Sequence, residues 1–214
     1  MKGEFIVLKR LRGGDVDLVG TLYGTAGKVT LFLKEGYLNT NRLFGVFEPF
    51  NYVEIDYSQV RNIIVPNDVI RVERFSLFAL NYKQYLYMSS LSLFALQYFN
   101  YYDENLFELL LSYLLKKPRN SEVILLKFKL DFLKAYGILP KFLSQETPKT
   151  KKVKIDLSTG EIKSEGEYEL DRYIVEFLKK LLEAKNPDRL NLTRRDIKKA
   201  EDFLREYLKF HLKV

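Results

Sequence analysis

The feature that most constrains this chain is a change of hydrophobic period near residue 80. Before it, apolar residues come in short runs at strand spacing, separated by turn residues. After it, they recur at helical spacing. Residues 4–10 are β-rich and partly alternating, residues 16–23 follow, Gly24-Thr25-Ala26-Gly27 reads as a turn, and residues 28–34 read as a third strand. After a polar loop at 35–41, the pattern predicts a long strand pair over about 43–57, interrupted near Glu48-Pro49. Residues 60–65 then close the set after a turn at Tyr57-Ser58-Gln59. Five or six short strands joined by tight turns predict a small closed barrel, which leaves no open sheet edge.

The helical half begins with apolar residues at 3.6 spacing over 83–101 and 105–117, the second run preceded by Asp103-Glu104. Ser121 is the expected N-cap of a helix over 122–136, with Gly137 as its stop. A polar, lysine-rich stretch at 140–152 leads to an expected hairpin, with strands at 153–157 and 161–164 around Ser158-Thr159-Gly160. Helices over about 170–184 and 194–212 finish the chain, the last capped by Thr193. The fold class is therefore α+β: residues 1–80 as barrel, residues 81–214 as a mostly helical domain with a small hairpin.

Composition narrows the chemistry. There is no cysteine and one histidine, His211. Disulfides, thiolate metal sites and thiol nucleophiles are excluded, and histidine-based catalysis would have to be built on that one residue. His211 reads more simply as a residue suited to a helix C-terminus. The glycine pairs Gly13-Gly14 and Gly24/Gly27 match no phosphate loop and read as hairpin turns. Asp15 with Asp17, and Glu54 with Asp56, could share a strand face as nuclease ligands, or simply be solvated. No apolar run is long enough to span a membrane and the first residues lack a leader pattern, so a cytoplasmic, nucleoid-associated protein is expected.

The net charge of +7 favours an anionic partner. Lys9, Arg10, Arg12, Lys28, Lys34 and Arg42 fall at strand ends and loops, where a barrel rim could track a phosphate backbone; the alternative is that they are ordinary surface cations. Tyr23, Phe32, Tyr37 and Phe44 could stack bases or fill the core. Arg194, Arg195, Lys198 and Lys199 open the last helix, where cations oppose the helix dipole, and Arg205, Lys209 and Lys213 extend the cluster. Lys149, Lys151, Lys152 and Lys154 form a third basic patch.

The runs Phe5-Ile6-Val7-Leu8-Lys9-Arg10, Asp17-Leu18-Val19, Gly27-Lys28-Val29-Thr30-Leu31, Arg42-Leu43-Phe44-Gly45, Glu48-Pro49-Phe50 and Val53-Glu54 resemble, in order, the N-terminal domain of the RecO family. These are bacterial recombination mediators of DNA repair. Phe132-Leu133 followed by Gly137-Ile138-Leu139-Pro140 resembles the family's LLxxxGxxP stretch, with Phe for the first Leu, and residues 203–212 resemble its C-terminal helix. The resemblance implies an oligonucleotide-binding (OB) barrel followed by a helical domain. It implies binding of single- and double-stranded DNA, annealing of complementary strands, and no catalytic residue or cofactor. As partners it implies RecR, the C-terminal tail of single-strand binding protein, and, indirectly, the recombinase RecA. DNA contacts are then expected on the barrel cations named above and, from their charge and placement on the last helix, on Arg194, Arg195, Lys198 and Lys199. Lys127 and Lys129 become candidates for the acidic tail. Many members carry a four-cysteine zinc module where this chain has a cysteine-free insert at about 141–166, so no zinc is expected here.

Overall fold

A computed structural model describes residues 1–212, so Lys213 lies outside the described residues. The chain divides into two compact units, Met1–Lys117 and Pro118–Val214. In the first, strands β1 (Lys2–Gly13), β2 (Asp17–Gly24), β3 (Gly27–Leu33), β4 (Tyr52–Val60) and β5 (Ile63–Glu73) close a barrel in the order β1-β2-β3-β5-β4. β1 pairs back onto β4. All neighbours are antiparallel except β3 and β5, which meet in parallel through Thr30↔Ile63 and Leu31↔Ile64. This is the strand order of an OB barrel, and the α+β class read from the sequence holds.

Alternation explains the interior. Phe5 and Val7, Leu18 and Leu22, Val29 and Leu31, Val53 and Ile55, and Ile64 point inward into one core. The β2–β3 turn needs its two glycines. Gly27 has φ +78, and a Cβ on Gly24 would sit 1.8 Å from the Glu4 carbonyl oxygen.

The sheet differs from the sequence reading between residues 41 and 62. There is no strand over 43–51. That segment is a series of turns in which Gly45 (φ +75) and Phe50 (φ +76) take left-handed backbone that no strand can continue through. Leu43, Val46 and Phe47, spaced for one face of a turn, plug the barrel instead. β4 then runs straight through the expected turn at 57–59, and the chain reverses at Arg61-Asn62. The barrel has five strands, the lower of the two numbers expected.

Asn51 fixes this irregular segment. It is fully buried. Its side-chain amide donates to the Val46 carbonyl (2.9 Å), its side-chain carbonyl accepts from Ser76 N–H (3.0 Å), and its backbone carbonyl accepts from Val7 N–H (2.9 Å). Beside Val7 the β1 register shifts by a bulge, before Lys9.

The period change near residue 80 marks the end of the sheet, while the compact unit runs on to Lys117. After a 3-10 segment, Phe75–Leu80, helix α1 (Tyr82–Tyr98) is capped by Asn81 and α2 (Glu104–Leu114) by Asp103. They cover one part of the outer barrel face. Tyr23 packs edge-on against Phe99 (5.0 Å between ring centroids), and Tyr52 and Tyr23 both meet Phe107. Burial pushes the Tyr23 phenol up to about 12.

The second unit contains α3 (Ser121–Ala135), the strand pair β6 (Lys152–Ile155) and β7 (Tyr168–Asp171), α4 (Arg172–Glu183) and α5 (Arg194–Leu212). Leu126, Phe128, Phe132, Phe142, Ile174, Leu178 and Phe203 are buried in it. The cap of α3 is Asn120, one residue before the expected Ser121; its side chain accepts from Val123 N–H. Gly137 follows the helix with φ +78, as expected. The expected hairpin partner is corrected: β6 pairs with β7, and residues 161–164 reach β6 only through the bridge Ile155↔Ile162. Asp156 folds the intervening chain onto itself. It accepts from Ser158 N–H (2.8 Å) and Thr159 N–H (3.3 Å) and pairs with Lys163. Lys141–Glu161 (2.9 Å) and the close approach of Gly160 to Pro140 tie this knuckle to the α3 side. No helix among the described residues is long and apolar enough to cross a membrane.

Two stability outcomes follow. Asn51→Ala leaves the buried Val46 carbonyl and the partly buried Ser76 N–H without these partners, and should cost roughly 2–4 kcal/mol in denaturant unfolding; a loss below about 0.5 would show that Asn51 does not hold the segment. The Lys163 pair and the Ser158 hydrogen bonds hold the Asp156 carboxyl well below its ordinary 3.8. A carboxylate depressed in this way stabilises the fold above its unfolded pKa, and that contribution is lost as pH falls. The gap in melting temperature between wild type and Asp156→Asn should therefore be constant near neutrality and close below about pH 4.

Candidate nucleic-acid interface

The part of the outer barrel face that α1 and α2 leave uncovered carries two outward rows. One runs Lys9, Thr21, Thr30, Ile63, following the pairs Lys9↔Thr21, Thr21↔Thr30 and Thr30↔Ile63. The next runs Leu11, Val19, Phe32, with Val65 one residue beyond the Leu31↔Ile64 pair. Leu11 (53 % exposed), Phe32 (37 %), Ile63 (48 %) and Val65 (42 %) are open to solvent. Such apolar exposure on adjacent strands is more than scattered surface hydrophobicity. Exposed Lys9, Lys34 and Arg61 border the rows, Arg61 from the β4–β5 reversal with φ +55. Lys9 owes its outward position to the bulge after Val7, which resets the alternation of β1.

The other barrel cations are committed elsewhere. Arg10 and Arg12 lie on the inward side of β1 at the barrel mouth, both over the Tyr37 ring (5.3 and 5.9 Å to its centroid). Arg10 also pairs with Glu48, and Arg12 donates to the Asp15 carbonyl (2.5 Å). Arg42 donates to the Asn67 carbonyl on β5 and lies 3.8 Å from Asp68. Lys28 is at the other end of β3 from Lys34. Its ammonium donates to the Leu96 carbonyl and to Asn100 Oδ1, both at 2.8 Å, closing the C-terminal turn of α1, and burial lowers its pKa. Of the aromatics considered as platforms, Tyr23 is buried, Tyr37 lies beneath the two arginines, Phe44 is exposed beyond the sheet, and Phe32 stands in the open row.

The acids weighed as nuclease ligands do not converge. Asp17, beside Gly13, accepts from Glu35 N–H (2.8 Å), whereas Glu54 pairs with Glu4 near the start of β1. Among the described residues no three of His, Cys, Asp and Glu form a metal-binding group. Glu4, Glu73 and Glu108 instead line a recess of about 370 Å³ beside Tyr52 and Phe107, away from the open rows; its one cation, Arg71, pairs with Glu73 (2.6 Å).

In the second unit, Lys127 and Lys129 are held in ion pairs with Asp131 and Glu201, the latter at 3.0 Å. Lys199 pairs with Asp171. Arg194, Arg195 and Lys198 remain exposed on the first turns of α5, whose dipole is offset by Asp196. The sequence reading missed Leu11, Arg61, Ile63 and Val65. The strand period of residues 60–65 carried a signal for the last two, but the parallel β3–β5 contact that places them beside Phe32 left none.

These units define an OB-fold protein with a second, mostly helical unit and an open, cation-edged barrel face. No family model matches the chain. An uncharacterized protein of Aquifex aeolicus (strain VF5) is 47% identical over 212 residues, covering 99% of each chain, and the present chain belongs to one family with it.

Lys28 carries an expected outcome. Lys28→Met removes two hydrogen bonds from the end of α1 and should destabilise the first unit by about 1 kcal/mol in thermal unfolding, since the group is only partly buried. An unchanged melting temperature would assign Lys28 to the surface.

Proposed function

We propose that the chain is a non-catalytic DNA-binding mediator of repair of the RecO type. In this reading it binds single- and double-stranded DNA and anneals complementary strands in the cytoplasm. RecR-like protein and the tail of single-strand binding protein are its partners, and RecA benefits indirectly. One observation carries the reading: the open face of β1, β2, β3 and β5, where Phe32 stands among aliphatic side chains and Lys9, Lys34 and Arg61 edge it. Outward residues of strands 2 and 3 with the adjoining loops are where OB barrels take oligonucleotides. An aromatic face for a base and cations for the backbone are the two parts such binding needs. The ordered sequence resemblance supplies the specific biology. Glu4 and Glu108 would repel phosphate from the other sector, where Arg71 is taken up by Glu73, which gives the barrel one preferred side.

Fluorescence anisotropy with a labelled oligonucleotide and its duplex, at rising salt, tests the reading. Lys9→Ala with Lys34→Ala should weaken single-strand binding about tenfold and reduce the log–log salt slope by about 1.4, the value for two lost phosphate contacts. Phe32→Ala should weaken the single strand by about 1–3 kcal/mol and leave the duplex nearly unaffected. Wild-type protein that shifts neither substrate at low salt, or fails to speed annealing of complementary strands, would overturn the proposal.

A second reading is supported by the same face. Leu11, Ile63 and Val65 are aliphatic, which suits a protein partner as well as a base. A scaffold role would leave DNA binding absent while Leu11→Ser abolished capture of a protein partner.

A further inference from the structure

The second unit contains a groove of about 720 Å³ between the 149–151 loop, α4 and Leu192. Phe177 and Leu192 form its apolar floor, and Lys149, Lys151, Arg172 and Lys180 edge it. Arg172 and Lys180 are eight residues apart on one helix, about 12 Å along its axis. Tyr173, 47 % exposed, stands between them and the start of α5. Its hydroxyl is held by Asp196, which fixes the ring, and Arg195 is close enough to act on the same phenol. Two acids also line it: Asp171, neutralised by Lys199, and Glu176, which leaves the four cations in excess. The lysine-rich loop and the basic side of α4 thus face a common groove, and the start of α5 meets its edge through Asp196 and Arg195 beside Tyr173.

We propose that this groove is a second binding site for single-stranded nucleic acid, its phosphates met by Lys149, Lys151 and Arg172 and a base laid on Tyr173. The proposal rests on the reading of the chain as a DNA-binding protein. Charge complementarity selects the occupant. The cations are spread along both walls and continue past the groove to Arg195, which suits a polymer with a charge at every unit rather than a peptide with one acidic end. A half-exposed aromatic with its hydroxyl already engaged offers a stacking face and no spare donor. Two single-strand sites on one chain would let it hold two complementary strands at once, so the effective concentration of each for the other rises without any new contact.

The full chain is tested with an oligodeoxythymidylate of about 16 nucleotides. In a background of Lys9→Ala and Phe32→Ala, residual binding should persist. Adding Lys149→Ala, Lys151→Ala and Arg172→Ala should then weaken it at least tenfold and lower the salt slope by about 2. Lys149 and Lys151 are exposed and Arg172 is half-buried, and an unchanged melting temperature confirms that the variant is folded. Tyr173→Phe should bind as wild type and Tyr173→Ala should not. An oligonucleotide carrying 5-iododeoxyuridine should photo-crosslink to Tyr173. If wild type binds DNA but the groove substitutions change nothing and crosslinks fall only in the first unit, the groove proposal fails and the DNA-binding reading stands. If wild type binds no oligonucleotide at low salt, both fail. If an Asp- and Phe-rich peptide binds the groove, loses affinity in the triple variant and is not displaced by oligonucleotide, the groove is a peptide site and the proposal is overturned.

Discussion

The buried amide of Asn51 is the interaction on which the first unit depends. A neutral polar side chain with no solvent contact must find every partner inside the protein. Here those partners come from the turn containing Val46 and the 3-10 segment at Ser76, while the Asn51 backbone carbonyl accepts from β1 at Val7, so one residue joins three places that the sheet alone would not hold together. Without them the left-handed residues Gly45 and Phe50 would have no reason to persist, and Leu43, Val46 and Phe47 would not be aimed into the barrel. The bulge in β1 sits next to this junction, so the same constraint that plugs the barrel also turns Lys9 outward.

The outer face of the barrel is divided by what covers it. Where Tyr23, Tyr52 and Ile6 point outward, α1 and α2 pack over them, and Lys28 secures the end of α1. Where Lys9, Leu11, Phe32 and Ile63 point outward, nothing in the first unit does. The acids Glu4, Glu54, Glu73 and Glu108 gather on the β1–β4–β5 side, so a net positive chain still presents a barrel with distinct positive and negative sectors. Charge placement rather than total charge would orient an anionic ligand.

Much of this was legible in the sequence. Three strands, the change of period, all five helices and the Gly137 stop follow from local pattern, because alternation, spacing and caps are local properties. The 43–51 segment was misread because its apolar residues suggest a strand until Asn51 and the left-handed Phe50 are seen together. The β6 partner was misread because Asp156 and Gly160 build a compact knuckle where a simple turn was expected. Among the candidate cations, composition marked all of them equally. Only tertiary contacts separate Lys28, Arg10 and Lys129, which are engaged within the fold, from Lys9, Lys34 and Arg195, which are open. Tyr173 and Arg172 became visible only when β7, α4 and the lysine-rich loop met.

The parallel meeting of β3 with β5 has a consequence for motion. Two residue pairs, Thr30↔Ile63 and Leu31↔Ile64, make the joint that closes the cylinder, whereas the neighbouring β4–β5 ladder runs over nine. Its strands are brought together across a long intervening loop, so it is costly to form and is the natural place for the wall to part. Thr30 and Ile63 also belong to the open rows, so any molecule lying across those rows bridges the joint. Such a ligand would act as a clasp, its binding energy appearing as slower breathing of the wall.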